Sequence, residues 1–125
     1  MPVTLTITEG LLPKEREQST MTALSEAMLK LHGLFGNKTM TTNVIGSIQV
    51  VPAGRTFSGL KAAPVAVVDW LTPAVAFSTR EIQIAYVKQA TDIIYEACAG
   101  KHPRENIWVH GTHAVDGMWA SWVTR

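Results

Sequence analysis

The order of apolar and polar residues predicts regular elements along the first half of the chain. Residues 3–8 alternate between apolar side chains and threonine, which is the period of a half-buried β-strand. Apolar residues then recur at helical spacing up to Gly33, which predicts a helix near residues 13–32. Residues 44–51 predict a second strand, which ends at Pro52. The first half is therefore strand, helix, strand.

The second half of the chain repeats this order. Residues 65–71 are almost continuously apolar, which predicts a central strand covered on both faces. Ser78 and Glu81 have the spacing of a capping box and predict the start of a helix that runs to about Cys98. Residues 106–110 predict the last main strand.

Both halves open on the dipeptide Pro-Val, at Pro2 and at Pro64. We therefore expect a single domain over residues 1–125, with a pseudo-repeat over residues 2–60 and 64–125. Two successive β-α-β units predict an α+β fold in which a four-stranded sheet is covered on one face by two helices.

Composition and charge exclude several classes of partner. Hydrophobic residues make up 46% of the 125 residues, which is enough for one core. The net charge is only +1, so no broad positive field favours nucleic acid or an acidic membrane. The single cysteine, Cys98, excludes an intrachain disulfide. With no secretion signal or long apolar stretch, we expect a cytoplasmic protein.

Pro2 is the residue with the most distinctive chemistry. Inside a chain its nitrogen is an amide without an N–H, but removal of Met1 would make it a secondary amine that exchanges protons. The alternative interpretation is that Pro2 only opens an edge strand, where a missing donor costs little.

Four segments carry a resemblance to a known family: Pro2-Val3 and residues 52–59, 104–109 and 114–119. In this order the chain resembles the tautomerase superfamily, and within it the cis-chloroacrylate dehalogenase branch. The resemblance implies a homotrimer of fused β-α-β pairs, with pockets around the terminal prolines that a neighbouring subunit often completes. It also implies that Pro2, once exposed, is the general base or acid, depending on its surroundings.

The resemblance further implies that the substrate is a small carboxylate, which the planar fork of an arginine can hold with two bonds. Arg80, in the first turn of the second helix, is the best candidate, and Arg55 is a weaker one. Both could instead be solvated surface residues. Phe57 matches a pocket residue of related enzymes but could equally be a subunit contact.

His110 lies where the branch has a tyrosine that helps hold a water molecule. It could bind water or a carboxylate, or be a hydrogen-bonded residue at a strand end. His32 loosely resembles the helical histidine of the branch, but a residue at the helix end is the preferred interpretation. The branch also has a water-activating glutamate, whereas residues 118–122 contain no acid. Asp116 could substitute, although Asp-Gly more often makes a turn.

Two functional hypotheses follow. The first is a cofactor-independent enzyme in which Pro2 transfers a proton on a small 2-oxo or unsaturated carboxylic acid, as a tautomerase or, alternatively, as a hydratase or dehalogenase. Arg80 and Arg55 would hold the carboxylate, and His110 would polarise the carbonyl or position water. The second is a trimeric binding or interaction protein that kept the fold while its pocket drifted. The sequence shows no metal-ligand spacing, and we expect no metal or cofactor.

Overall fold

Two strand–helix–strand units make up the computed structural model, which describes residues 1–115 and residue 118. The first unit contains strand β1 (Pro2–Thr8), helix α1 (Glu17–Leu31), the short helix α2 (Lys38–Thr42) and strand β2 (Ile45–Val51). A small hairpin follows, formed by β3 (Phe57–Ser58) and β4 (Lys61–Ala62). The second unit contains strand β5 (Ala66–Thr72), helix α3 (Arg80–Ala97) and strand β6 (Ile107–His113).

The four long strands form one mixed sheet in the order β2-β1-β5-β6. Within each unit the two strands are parallel, and the units meet where β1 runs antiparallel to β5. In that central pair Val3 is opposite Trp70 and Ile7 is opposite Ala66. The start of β1 therefore lies beside the end of β5. The expected α+β fold is confirmed, but β1 is a central strand, so the interpretation of Pro2 as the opening of an edge strand is wrong.

One face of the sheet forms the core with the two long helices. Val3, Leu5 and Ile7 alternate along β1 and are almost completely buried. They face the helix layer together with Val68 and Trp70 of β5, and the apolar stripes of α1 and α3 complete this core. Burying one such side chain contributes about 1.5–3 kcal/mol. The apolar residues of the alternating pattern at residues 3–8 are thus the ones that pack against the helices.

The opposite face, which we call the open face, is much more exposed. Alternation places Pro2, Thr4 and Thr6 on it, and the register adds Asp69 opposite Thr4 and His110 beside Asp69. Trp108 also lies on this face and is 63% exposed. The predicted central position of the strand at residues 65–71 is confirmed. Its predicted burial on both faces is wrong within one chain, because no described helix packs on the open face.

The structure differs from the sequence predictions at one helix start and in one additional short helix. Helix α3 begins at Arg80, and its N-cap is Thr79, whose hydroxyl accepts a hydrogen bond from the Ile82 N–H at 3.3 Å. The capping box built on Ser78 is therefore wrong. The short helix α2 was not predicted; Asn37 caps it by accepting a hydrogen bond from the Met40 N–H at 3.0 Å. Among the described residues, none of the helices is long and apolar enough to cross a bilayer.

Candidate functional site

Pro2 starts β1 beside Ile45, and the residue before it is buried. Only 6% of Met1 is exposed, and its side chain belongs to the hydrophobic core. Its amine donates a hydrogen bond to the Asn43 carbonyl, and its carbonyl accepts one from the Ile45 N–H at 3.1 Å. Burial lowers the pKa of the Met1 amine from its ordinary value of 8.0. With Met1 in place the Pro2 nitrogen is an amide, and the Met1 residue fills the space beside that nitrogen.

Arg80 lies at the same end of the sheet as Pro2. Strand β5 ends next to the start of β1, and the following loop, residues 73–79, leads directly to Arg80 at the first position of α3. The Arg80 side chain is exposed and forms no ion pair with another described residue. A guanidinium group in this position is available to bind an anion.

Hydrogen bonds from two other elements fix the loop before Arg80. His32, the C-cap of α1, donates from Nδ1 to the Met28 carbonyl at 2.8 Å and accepts at Nε2 from the Phe77 N–H, also at 2.8 Å. These partners assign the tautomer. On the other side, His113 of β6 donates from Nε2 to the Ala76 carbonyl at 2.9 Å. The expectation that His32 is a helix-end residue is confirmed, and its link to the loop is new.

Phe77 is the centre of this loop. Its φ of +52° lies in the left-handed region that a phenylalanine rarely adopts, so surrounding contacts must hold it. Its ring packs edge-on against His32 and Tyr86, at centroid distances of 4.9 and 5.2 Å. Gln83 donates a side-chain hydrogen bond to its carbonyl at 2.7 Å. The loop that leads to Arg80 is therefore held in one conformation.

His110 lies on the open face, in contact with a carboxylate. Its Nε2 is 3.4 Å from Asp69 Oδ1, and the two side chains are 58% and 48% exposed. Asp69 is in turn opposite Thr4 of β1, two residues along the same face from Pro2. Diagonal neighbours of this kind in an antiparallel pair have Cα atoms about 7–8 Å apart. His110 itself is two strands away from β1, so the structure does not bring it directly to Pro2.

Arg55 and Phe57 lie at the other end of the sheet. They follow β2, which runs parallel to β1, so they are beyond the end marked by Thr8. Six residue steps of about 3.3 Å along β1 put roughly 20 Å between them and Pro2. Both side chains are exposed, Phe57 to 66%. Within one chain, these two predicted residues are not part of a site at Pro2.

A half-open cavity of about 350 Å³ lies between α3 and the ends of β5 and β6. Its wall includes Trp70, Phe77, Tyr86 and His113. His110 is the one predicted site residue that lines it. The buried Trp70 Nε1 has no hydrogen-bond partner there among the described residues. Burial raises the pKa of the Tyr86 phenol, and the nearby Trp70 indole opposes that rise. The cavity is thus a largely aromatic space next to the His113-anchored loop, rather than at Pro2.

Other candidates from the sequence have no place in a described site. Asp116 and residues 119–122 lie outside the described residues. Within the described part of the chain, no three His, Cys, Asp or Glu side chains are grouped as metal ligands would be. Cys98 is buried, which raises the pKa of its thiol and makes it a packing residue rather than a nucleophile.

Comparison with known proteins relates this arrangement to solved structures. No protein-family model and no curated protein sequence matches the chain. The chain superposes on a fused 4-OT from a wild-type symmetric trimer with a TM-score of 0.82 and 14% identity, covering 100% of this chain and 94% of that one. It also matches N1, a member of the cis-3-chloroacrylic acid dehalogenase family, with a TM-score of 0.80 and 14% identity over 98% and 80% of the two chains.

The fold is that of the tautomerase superfamily. A third structure, FG41 malonate semialdehyde decarboxylase inhibited by 3-bromopropiolate, matches with a TM-score of 0.71 and 10% identity over 96% of this chain and 88% of that one. At such identities the likeness establishes the tautomerase fold and no more.

Sequence reasoning missed Asp69, although a signal for it existed. It is the single charged residue in the apolar stretch of residues 65–71, and a carboxylate in a central strand requires a partner or solvent. The two loop contacts of His32 and His113 had no such signal, because they depend on the packing of three separate elements.

Proposed function

We propose that this chain is a cofactor-independent enzyme in which Pro2, after removal of Met1, transfers a proton on a small 2-oxo or unsaturated carboxylic acid. The observation that carries the proposal is the position of Pro2 and Arg80 at one end of the sheet. A secondary amine and a guanidinium group in that arrangement could act on the carbon and hold the carboxylate of one small molecule.

Removal of Met1 would convert the Pro2 nitrogen from an amide into a secondary amine and would also free the space beside it. Met1 occupies buried volume next to Pro2, so its removal would leave space bounded by core residues. An amine in such a place is partly desolvated, which favours its neutral form and hence a role as base. Nearby carboxylates have the opposite effect.

We further propose that the protein assembles as a homotrimer through the open face. Trp108 and Leu71 expose apolar surface there, and a fused 4-OT with the same fold is a symmetric trimer. Neighbouring copies would also bring Arg55 and Phe57 to a Pro2 that their own chain cannot reach. In a homotrimer with threefold rotational symmetry, the same contact forms at each of the three interfaces.

The experiment that tests the proposed function compares two processed proteins. Intact mass first establishes that Met1 is absent from the wild-type protein and from Pro2→Ala. The two are then assayed for the tautomerisation of phenylpyruvate, a small 2-oxo acid. We expect the substitution to lower kcat/KM by about 10²-fold or more, the usual contribution of a general base. Equal activity of both proteins would favour the alternative, a binding protein with the tautomerase fold.

A further inference from the structure

Two histidines hold the loop of residues 73–79 by hydrogen bonds of opposite direction. The ring of His113 donates a hydrogen bond from Nε2 to the Ala76 carbonyl at 2.9 Å. The ring of His32 instead accepts a hydrogen bond at Nε2, from the Phe77 N–H at 2.8 Å. This difference decides what happens to each bond when a ring takes up a second proton.

Protonation breaks one of these hydrogen bonds and keeps the other. In the His32 ring, Nδ1 donates to the Met28 carbonyl, so Nε2 can accept only while the ring is neutral. A second proton, on Nε2, would point at the Phe77 N–H, and two donors would face each other. In the His113 ring the second proton goes to Nδ1, and the bond from Nε2 to the Ala76 carbonyl is kept.

We propose that His32 is a pH-sensitive positioning residue: its neutral ring holds the loop that leads to Arg80, and its protonated ring releases that loop. Histidine changes its charge between about pH 5 and 8, so release accompanies mild acidification. The closed loop excludes the second proton, so its population falls as the pH falls. This inference rests on the proposed function and deepens it, because it names a regulation of the carboxylate-binding side of the same site.

The conformation of Phe77 makes the loop sensitive to the loss of one hydrogen bond. Its φ of +52° is one that a residue other than glycine rarely adopts, so contacts must compensate for it. The His32 ring supplies two of these contacts, the hydrogen bond and an edge-on ring contact with centroids 4.9 Å apart. Tyr86 adds a second edge-on contact, and Gln83 donates to the Phe77 carbonyl at 2.7 Å. Protonation of His32 therefore acts on the residue with the strained backbone.

Release of the loop reaches Arg80 through the cap of α3. Thr79 is both the last residue of the loop and the N-cap, and its hydroxyl accepts a hydrogen bond from the Ile82 N–H at 3.3 Å. Arg80 follows as the first residue of the helix. A loop that leaves its place loosens the turn that carries the guanidinium group. The apparent affinity for a carboxylate then falls with the fraction of closed loop.

The charged groups around the loop leave this response to the histidines. Residues 73–79 contain no titratable side chain. The nearest titratable or charged residues on the surrounding elements are Lys30 in α1, Arg80, Glu81 and Tyr86 in α3, and His113 in β6. The ordinary pKa values of lysine, arginine, glutamate and tyrosine lie outside pH 5–8. Among the described residues, no carboxylate forms an ion pair with His32 that would stabilise its protonated ring.

Hydrogen exchange of the Phe77 amide tests the hydrogen bond directly and needs no substrate. Its protection factor, which corrects for the ordinary pH dependence of exchange, is measured by NMR in the full chain at about pH 7.5 and 5.5. The Val68 amide in the central strand β5 serves as the reference for global unfolding. A histidine that titrates near pH 6.5 makes the open loop up to about tenfold more populated at the lower pH. We expect the protection of Phe77 to fall by about fivefold or more and that of Val68 to change by less than about twofold.

Two histidine variants separate the two loop contacts. His32→Gln keeps an acceptor for the Phe77 N–H and a donor for the Met28 carbonyl but gains no proton in this pH range. His113→Gln removes the other titrating ring and keeps a donor for the Ala76 carbonyl. We expect His32→Gln to lose the pH dependence of Phe77 protection and His113→Gln to retain it.

Three results would overturn the proposal: no fall of Phe77 protection in the wild type, a fall of the same size in His32→Gln, or loss of the fall in His113→Gln. The first and third do not require that His32→Gln folds, so the proposal can be refuted without that variant.

Steady-state kinetics of the processed protein test the link to Arg80. KM for phenylpyruvate is measured at the same two pH values in the wild type and in His32→Gln, and comparison of the two proteins cancels the ionisation of Pro2 and of the substrate. We expect KM to rise on acidification by about twofold or more in the wild type relative to His32→Gln, with kcat changing alike in both. Equal changes of KM would show that the loop does not position Arg80, and would overturn the proposal.

Failure of this inference is distinguishable from failure of the proposed function. If Pro2→Ala is as active as the processed wild type, the proposed function is wrong, while the protection of Phe77 still decides whether His32 releases the loop. If phenylpyruvate activity depends on Pro2 but the protection of Phe77 does not depend on pH, the enzyme remains and the role of His32 is wrong.

Discussion

His32 and Phe77 are joined by a hydrogen bond of 2.8 Å that connects the end of α1 to the loop before α3. The ring nitrogen accepts the backbone N–H, and the other ring nitrogen donates to the Met28 carbonyl in its own helix. The histidine thereby connects the first β-α-β unit to the loop that carries Arg80. A residue at the end of a helix in the first unit thus helps to hold the loop before the helix of the second unit.

Replacement of His32 by phenylalanine should keep an aromatic ring while leaving the Phe77 N–H without its acceptor. We expect the free energy of unfolding to fall by at most about 1–3 kcal/mol, the cost of a fully buried donor without a partner, because this donor is partly buried. KM for a carboxylate substrate should rise as well, because Arg80 follows this loop. Urea unfolding and steady-state kinetics measure the two effects.

The matched control for His32→Phe is Lys30→Gln in the same last turn of α1. Lys30 is exposed and has no hydrogen bond to the loop. Its ammonium lies 4.7 Å from the centroid of the Phe35 ring, so its replacement should lower the free energy of unfolding by no more than about 0.5–1 kcal/mol and leave KM unchanged. If His32→Phe behaved like this control, the hydrogen bond to Phe77 would not hold the loop.

Much of this fold could be predicted because its signals are local. The alternation of residues 3–8 and the helical spacing after Pro13 depend only on which side of an element faces the core. The order of the elements then limits the topology to a few arrangements. Helix α2 escaped prediction because it has five residues and no buried side chain, so it carries no periodic pattern.

The candidate site could be predicted only in part. Pro2 and Arg80 were identified from residue type and resemblance, and the antiparallel pairing of β1 with β5 puts them at one end of the sheet. The distance of Arg55 from Pro2 could not be foreseen, because it depends on which way β2 runs. Asp69 became relevant only when the register showed His110 beside it.

The burial of Met1 predicts that its removal affects stability as well as chemistry. The side chain is part of the core, so the processed protein should lose up to about 1.5–3 kcal/mol in the free energy of unfolding. Separation of the two forms by mass, followed by urea unfolding of each, tests this. The unprocessed form should show no Pro2-dependent activity, because its Pro2 nitrogen is an amide. An active unprocessed form would contradict the proposed chemistry.

The retained amine gives the unprocessed form a pH dependence of its own. Its pKa in the folded chain is below the unfolded value of 8.0, so between these two values the unfolded chain binds more protons. The free energy of unfolding should therefore rise with pH through this window and level off above about 8. The comparison to make is the pH dependence of urea unfolding with and without Met1. The same slope in both forms would show that burial of the amine is not its cause.

At alkaline pH the buried Tyr86 and Cys98 should limit stability. Burial raises the pKa of both groups, from ordinary values of 10.0 and 9.0, so the folded chain holds protons that the unfolded chain releases. The free energy of unfolding should thus fall as pH rises above 9, and more steeply above 10. Tyr86→Phe should remove the steeper part, although it also loses the hydrogen bond to the Leu24 carbonyl of 2.9 Å.

Tyr95→Phe is the matched control for the alkaline experiment, since Tyr95 is only partly buried. It should retain the full loss of stability above pH 10, measured by urea unfolding at a series of pH values. A Tyr86→Phe variant with the wild-type alkaline slope would show that another group is responsible.

Mixing of inactive variants should reveal whether neighbouring chains share a site. Arg55 lies at the opposite end of the sheet from Pro2, so in the proposed trimer one chain would supply the proline and another the arginine. When Pro2→Ala and Arg55→Ala proteins are unfolded together and refolded as mixed trimers, random assembly leaves about a quarter of the sites with both residues intact. We expect phenylpyruvate activity to recover towards that fraction of wild type.

The control for this experiment is a mixture of Pro2→Ala with Arg80→Ala. Pro2 and Arg80 lie at one end of the same chain, so no mixed trimer would contain a site with both residues intact if they act within that chain. Activity should then stay at the level of the separate variants. Recovery in this second mixture as well would place Arg80 in a neighbour's site, and recovery in neither would mean that Arg55 does not act on substrate across a subunit boundary.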